Sequence, residues 1–89
     1  MYVNMKGEYY IMMVRSKSGS KVLNYELFVW DVEISSDERC SNIIASNGVT
    51  KYIMGSYYSN GSDKGYNEAW NEFKRMFKAY NKRKRKFEL

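Results

Sequence analysis

Residues 63–87 read DKGYNEAWNEFKRMFKAYNKRKRKF, and this stretch decides the fold. At 100° of rotation per residue, its apolar side chains fall in one sector of a helix and its bases fall in another. The apolar sector holds Tyr66, Ala69, Trp70, Phe73, Met76, Phe77, Tyr80 and Phe87. An apolar face must be buried against a second layer. The stretch therefore predicts an amphipathic helix over about 63–84 whose aromatic stripe belongs to the core.

Both ends of this helix carry local signals. Ser62 or Asp63 is the expected N-cap residue, because its side-chain oxygen can accept a hydrogen bond from a free backbone N–H. Gly65 is a weak helix former and could move the start to Asn67. Lys84 falls on the apolar side, so we expect the helix to fray there or Lys84 to snorkel past the core edge. Residues 82–89 are accordingly predicted to be a mobile basic tail.

Four segments before the helix have strand patterns, either apolar runs or alternating sequences bounded by turn residues. They are residues 8–15, 21–34, 42–46 and 49–58. The apolar side of segment 21–34 changes halfway along, which predicts a bend or a bulge. The dipeptide Asn47-Gly48 favours a tight hairpin turn, so the residues before it are interpreted as a strand. A short helix capped by Asp37 is the alternative for residues 40–46.

Strands followed by one helix predict an α+β fold. We expect a single domain over residues 1–89, with an antiparallel sheet of three or four strands arranged as a β-meander. The C-terminal amphipathic helix packs across one face of this sheet. A chain of this length buries roughly 60–65% of its unfolded surface, so the core must be small. A monomer or a homodimer fits this size.

The positive charge is concentrated in the helix and the residues after it. Residues 63–89 hold nine Lys or Arg and four Asp or Glu, whereas residues 1–62 hold six of each, so the net charge of +5 lies after residue 62. Three interpretations stay open: a solvated helix face, contacts with nucleic-acid phosphates, or contact with an acidic protein surface. The candidate contact residues are Lys74, Arg75, Lys78, Lys82, Arg85 and Lys86.

Tyr57 and Tyr58 are candidate aromatic contacts. Neighbouring residues of a strand point to opposite faces of a sheet, so one of the two is expected to be exposed. An exposed ring beside bases could stack on a nucleobase. Chance exposure among nine tyrosines is the alternative.

The composition excludes most catalytic chemistry. The chain has no His, and its single cysteine, Cys40, can form neither an intrachain disulfide nor a zinc cluster. The chain contains no glycine-rich phosphate loop. Asp31 and Glu33 could share a metal, but they are interpreted as the polar side of a strand. We therefore expect no enzyme activity, no cofactor, no metal and no small-molecule substrate.

Membrane insertion and secretion are not expected either. No apolar run approaches the roughly 18–20 residues that span a bilayer. The first residues lack the order of a secretory signal peptide, and a single cysteine suits a reducing compartment. We expect a cytoplasmic protein.

Two resemblances bear on the fold and the role. Residues 51–57, KYIMGSY, with the later Glu68-Ala69-Trp70, resemble the strand-to-helix passage of Apetala-type DNA-binding domains, which are also three strands and a helix. The Arg and Trp residues that those domains use on their strands are missing here, so no contact residue is carried over. In size, composition and lack of catalytic groups, the chain is similar to orphan accessory proteins of phages and mobile elements. Some of these, including anti-CRISPR proteins, inhibit host or defence machinery.

These features predict a small non-enzymatic binding protein. The first hypothesis is an accessory protein of phage or mobile-element type that binds nucleic acid or a nucleoprotein complex through the basic face of its C-terminal helix. The alternative is an inhibitor or adaptor that binds a host protein, through an exposed sheet edge or a Tyr-rich patch. An acidic host protein would also suit the basic face.

Overall fold

The computed structural model of the protein describes residues 2–3 and 9–89, with side-chain environments from residue 11 onward. Glu8, the predicted start of the first strand, lies outside these residues. Within the described ranges there are eight strands and one α-helix. In chain order they are β1 (Tyr2–Val3), β2 (Tyr9–Tyr10), β3 (Met13–Arg15), β4 (Val22–Asn24), β5 (Val29–Ile34), β6 (Cys40–Ser46), β7 (Lys51–Tyr58), α1 (Lys64–Asn81) and β8 (Lys86–Glu88).

A three-stranded antiparallel meander carries the helix. β5 pairs with β6 and β6 pairs with β7, with a bulge between Ile43 and Ile44. Ile43 and Ala45 of β6 share a buried core with Ala69 and Met76 of α1. The predicted α+β architecture, an antiparallel meander with one C-terminal helix across it, is confirmed. The segment predicted at 42–46 lies in β6, and the segment predicted at 49–58 corresponds to β7 except for Val49 and Thr50, which belong to the preceding loop.

A second sheet was not predicted. It has the order β4-β3-β8, and β3 pairs antiparallel with β4. The predicted strand over 21–34 is wrong as a single element, because a 3₁₀ turn over Tyr25–Leu27 separates β4 from β5. The side chain of Asn24 accepts a hydrogen bond from the Glu26 backbone N–H at 3.0 Å. This cap stabilises the turn, which takes the chain from one sheet to the other. The segment predicted at 8–15 is likewise divided, between β2 and β3.

The C-terminal residues complete this second sheet. β8 lies parallel to β3, with Met13 opposite Lys86 and Arg15 opposite Glu88. The Met13 N–H donates to the Arg85 carbonyl at 2.9 Å, and Phe87 packs against the hydrophobic core. The prediction of a mobile tail over 82–89 is therefore wrong for Lys86–Glu88. Lys86–Glu88 form a strand because Phe87 packs against the core and the edge of β3 is free to pair with them.

The helix approaches the meander most closely at its first turn. Gly65 is buried, and a Cβ on it would meet the Tyr57 carbonyl group and the Ser59 hydroxyl at distances that real Cβ atoms do not reach. The helix begins at Lys64, so Gly65 lies inside it and does not delay its start. Asp63 occupies the N-cap position without a side-chain cap, and the Ser62 hydroxyl accepts from the Lys64 N–H at 3.2 Å. The absent Cβ of Gly65 thus sets how near α1 and β7 can lie.

Replacing Gly65 with alanine should destabilise the protein, although Gly→Ala usually stabilises a helix. On an open helix surface, Gly→Ala stabilises by about 0.8–1 kcal/mol. Here we expect Gly65→Ala to lower the free energy of unfolding by about 1–3 kcal/mol, because the added methyl group must push the helix away from β7. Urea denaturation measures the change. Asn71→Ala, at an exposed position of the same helix, is the control and should stay within about 0.5 kcal/mol of the wild type. Stabilisation by Gly65→Ala would contradict the close approach.

The packing of β8 can be tested at Phe87. Phe87→Ala should lower the free energy of unfolding by about 2–3 kcal/mol, because a half-buried ring leaves the core edge. Its neighbour Lys86 is exposed, so Lys86→Ala should change stability by less than about 0.5 kcal/mol. Thermal unfolding followed by circular dichroism distinguishes the two variants. Equal, small effects of both would indicate that the C-terminal residues do not pack.

Candidate functional site

Three lysines form a row along the exposed side of α1. Lys74, Lys78 and Lys82 follow one another at four-residue steps, which puts neighbours about 6 Å apart along the helix axis. All three are exposed, and none takes part in an ion pair with another residue of the described chain. We call these three residues the lysine row. It is an unneutralised positive strip on the side of the helix that faces solvent.

Arg75 lies beside this row but is already engaged. Its guanidinium Nη1 lies 2.6 and 2.7 Å from the two carboxylate oxygens of Glu72, one turn earlier on the helix. The same guanidinium lies over the Phe87 ring, 5.5 Å from its centroid. Glu72 neutralises much of the Arg75 charge, so this predicted contact residue mainly connects α1 to β8.

A depression of about 260 Å³ lies between the end of α1 and β8. Four bases line it, and Ala79 and Phe87 form its apolar part. The bases are Arg75, Lys78, Lys82 and Lys84. We call it the basic depression. A shallow hollow with an apolar floor and a basic rim can hold an anion of phosphate size, since several N–H donors can converge on one group of oxygens.

Lys84 belongs to this depression because of how the helix ends. The Arg83 N–H donates to the Tyr80 carbonyl and the Lys84 N–H donates to the Ala79 carbonyl, both at 3.0 Å, which is the Schellman pattern. Arg83 has the left-handed φ of 61° that this motif requires. The chain therefore reverses after Asn81, and the helical angle that put Lys84 on the apolar side no longer applies. Sequence reasoning did not include Lys84 among the candidate contact residues, and the run of bases after Asn81 was its only signal.

Arg85 and Lys86 do not join the basic depression. They line a different groove of about 380 Å³ on the β4-β3-β8 sheet, together with Arg15 and Glu88 and the exposed apolar side chains of that face. The predicted basic set is thus divided. The structure brings Arg75, Lys78 and Lys82 together with Lys84, and separates Arg85 and Lys86 from them.

The two tyrosines behave as opposite faces of a strand. Tyr57 is only 5% exposed and belongs to the core, so it is not available for stacking, whereas Tyr58 is 60% exposed. The Lys17 ammonium lies 4.1 Å from the centroid of the Tyr57 ring and covers it. The Tyr58 hydroxyl bonds Asn60 at 3.3 Å, on the face of the sheet that points away from α1. Neither ring adjoins the lysine row.

Two aromatic side chains of α1 are more exposed than the stripe predicts. Phe77 is 52% exposed and Tyr66 is 40% exposed, while Trp70 between them is half-buried. The rings of Tyr66 and Trp70 meet edge to face, 6.2 Å between centroids. We call Tyr66, Trp70 and Phe77 the aromatic flank. The prediction that the whole stripe is core is wrong for Tyr66 and Phe77, because the buried sector of the helix is centred on Gly65, Ala69 and Met76.

The remaining candidate acids have local partners. The Asp31 carboxylate accepts from the Val32 backbone N–H at 2.8 Å, and Glu33 pairs with Lys51 at 3.0 Å. Across the described residues, no group of three or more His, Cys, Asp or Glu side chains is arranged to hold a metal ion. The helix in the same part of the chain lacks the length and apolarity that crossing a bilayer requires.

Comparisons of the chain with family models, with curated proteins and with solved structures find no match. The function must therefore be argued from the site itself.

The buried Tyr57 ring gives a pH dependence. Burial raises the pKa of Tyr57 to about 12, and the carboxylates of Glu72 and Glu68 act in the same direction. Since the unfolded chain titrates near the ordinary value of 10.0, the folded state disfavours tyrosinate. The stabilisation is fully present below about pH 10 and is lost as the pH rises from about 10 to about 12.

We expect wild-type protein to lose about 1–2 kcal/mol of unfolding free energy over this range through Tyr57, after solvent screening is allowed for. Guanidinium denaturation at pH values from ~8 to ~12 measures it, since Tyr57→Phe should show a flatter profile than the wild type. Tyr58→Phe is the control and should keep the wild-type slope. Parallel profiles for all three proteins would contradict the role of Tyr57.

Proposed function

We propose that this protein binds nucleic acid by its phosphate backbone, through the lysine row and the basic depression. The observation that carries the proposal is a group of exposed bases on one continuous surface, none of which forms an ion pair with an acid among the described residues: Lys74, Lys78, Lys82 and Lys84. The chain before residue 63 has six bases and six acids, so it carries no net charge, and the whole excess of +5 lies after residue 62. A localised basic strip supports phosphate binding more strongly than a high overall isoelectric point does.

The strength of such binding can be bounded. Each phosphate contact displaces condensed counterions, so four contacts give a slope of log affinity against log salt of about −3 to −4. Affinity then falls by roughly two orders of magnitude between 50 and 200 mM salt. This is the behaviour of a protein that recognises the backbone and reads little sequence.

The setting that fits this activity is an accessory protein of phage or mobile-element type, acting on nucleic acid or on a nucleoprotein complex. The support is the small size of the chain, its lack of His and its single cysteine. A backbone-binding module of this kind needs no catalytic groups, because its effect is to occupy or cover an anionic surface.

A second candidate function is a protein–protein inhibitor or adaptor that uses the β5 edge. β5 is one of the two edge strands of the described meander, and it carries Val29, 74% exposed, and the exposed Ile34. Against this, the Val32 N–H is occupied by the Asp31 carboxylate. An incoming strand would have to displace that bond, which is one way in which proteins block an edge. Nucleic-acid binding is preferred for this reason.

The proposal predicts the effect of charge reversal. Lys78→Glu with Lys82→Glu should reduce the affinity for nucleic acid at ~50 mM salt by at least tenfold, and the salt slope should become shallower by about two. Fluorescence anisotropy with labelled oligonucleotides, titrated at several salt concentrations, measures both. The two side chains are exposed and unpaired, so circular dichroism should show an unchanged fold.

The matched control is Lys21→Glu with Arg39→Glu, which makes the same change in net charge on exposed residues outside α1. This variant should bind within about threefold of the wild type, since neither residue belongs to the lysine row or lines the basic depression, and screening weakens the effect of distant charges. Equal losses of affinity from both double variants would show that net charge determines binding and that the lysine row does not. Absence of wild-type binding to any oligonucleotide at low salt would exclude the proposed function and favour the β5 edge.

A further inference from the structure

The aromatic flank runs beside the lysine row on the same helix. Phe77 follows Lys74 by three residues and precedes Lys78 by one, so the ring lies about 60° around the helix from the first lysine and about 100° from the second. At these spacings the side chains at positions 74 and 77 are surface neighbours. Phe77, at 52% exposed, therefore presents a ring face next to two exposed ammonium groups.

The residues that border the flank carry no negative charge at its C-terminal end. Between Glu72 and Glu88 the sequence contains no acid. Asn81 follows Phe77 by one turn and is exposed, so its amide also adjoins the ring. Glu68 and Glu72 lie on the other side of the lysine row, about 140–180° around the helix from Phe77. The polar neighbours of this ring on its own helix are thus cationic and amide, and they suit an anionic partner that has flat faces.

The N-terminal end of the flank differs. Tyr66 lines a cleft of about 420 Å³ together with Asp63 and Glu38. Both acids are exposed, so an anionic partner is repelled from this end. The flank is therefore polarised, with an acidic setting around Tyr66 and a basic setting around Phe77. Tyr66 can therefore serve as a control for Phe77 within the same protein.

We infer that the nucleic acid is single-stranded, with at least one base stacked on Phe77 while the adjacent phosphates lie along Lys74, Lys78 and Lys82. The inference rests on the proposed function and names its substrate class. In a duplex both faces of each base are stacked within the helix, so an aromatic ring on a convex protein helix cannot reach one. A single strand exposes the base faces, and stacking on an aromatic side chain is worth about 1–3 kcal/mol per base.

The arrangement also accounts for an exposed phenylalanine. Around the helix, the buried residues Ala69 and Met76 lie about 80–100° from Phe77, so the sheet does not extend beneath the ring. A structural role would be served equally by a polar residue at this position. A ring half in water, bordered by two unpaired lysines and an amide, is the combination that single-strand binding surfaces use.

The test compares two aromatic truncations on two substrates. The substrates are labelled oligo-dT of about 20 nucleotides and a duplex of the same length, at ~50 mM salt. Phe77→Ala should weaken oligo-dT binding by about tenfold and leave duplex binding within about twofold, since only the single strand stacks. Tyr66→Ala should change oligo-dT binding by less than about twofold, because its acidic surroundings keep the strand away. Phe77→Trp should retain or improve the affinity, which separates stacking from a structural effect.

A second readout is the fluorescence of Trp70, measured in a Trp30→Phe background so that one indole reports. Oligo-dT should quench it, because Trp70 is half-buried within the flank and a base on Phe77 lies near it. Addition of inorganic phosphate at matched ionic strength should not quench it. The same titration in the Phe77→Ala variant should need about tenfold more oligo-dT.

The possible failures differ from one another. If oligo-dT and duplex bind equally well and Phe77→Ala weakens neither, the single-strand inference is wrong while the proposed function stands. If neither substrate binds, both are wrong. If Phe77→Ala instead dissolves a dimer seen by light scattering and leaves oligo-dT binding unchanged, the flank is a self-association surface. If Tyr66→Ala and Phe77→Ala weaken binding equally, charge does not direct the strand to Phe77.

Discussion

The close approach of α1 to β7 at Gly65 is the contact on which the rest of the structure depends. Gly65 and Ala69, one turn apart, present almost no side chain to the sheet, so the helix backbone lies directly against the end of β7. Met76, two turns after Ala69, is fully buried in the same core. This narrow line of small residues decides which sector of the helix is buried. The aromatic residues on its flank stay partly in water as a consequence, and the lysine row faces away from the sheet.

The end of the helix is the second constraint. Arg83 adopts a left-handed conformation that costs an L-residue about 1–2 kcal/mol relative to its ordinary backbone regions. The Schellman hydrogen bonds, the pairing of β8 with β3 and the burial of Phe87 offset this cost. Because the chain turns back at this point, Lys84 is brought beside Lys78 and Lys82 at the last turn of the helix, where all three line the basic depression. The basic depression is a product of this reversal.

The elements that sequence reasoning found are those whose signals are local. The helix shows its 3.6-residue period over five turns, and the hairpin at Asn47-Gly48 shows its turn residues, so the meander and the helix across it could be predicted. The β4-β3-β8 sheet could not, since its strands have three residues each and two of them are joined in parallel across the length of the chain. For the site, alternation predicted that one of Tyr57 and Tyr58 is exposed but not which one. Phe77 was assigned to the core because helical periodicity shows which side chains share a face. It does not show that the buried part of that face is centred on Gly65 and Ala69.

The charged residues of α1 are arranged differently in its two halves. The two acids of the first half pair with bases, Glu68 with Lys64 at 3.9 Å and Glu72 with Arg75 of the next turn at 2.6 Å, as in an ordinary solvated helix. In the second half, Lys74, Lys78 and Lys82 stand at four-residue steps, where like charges destabilise a helix by about 0.2–0.5 kcal/mol per pair. The C-terminal dipole favours bases near the last turn, but its influence does not extend back to Lys74. Solubility would be served as well by the mixed pattern of the first half. The repulsion retained in the second half is the term that an anionic strand would relieve on binding, and it lies beside Phe77, an exposed ring whose charged neighbours on the helix are all bases.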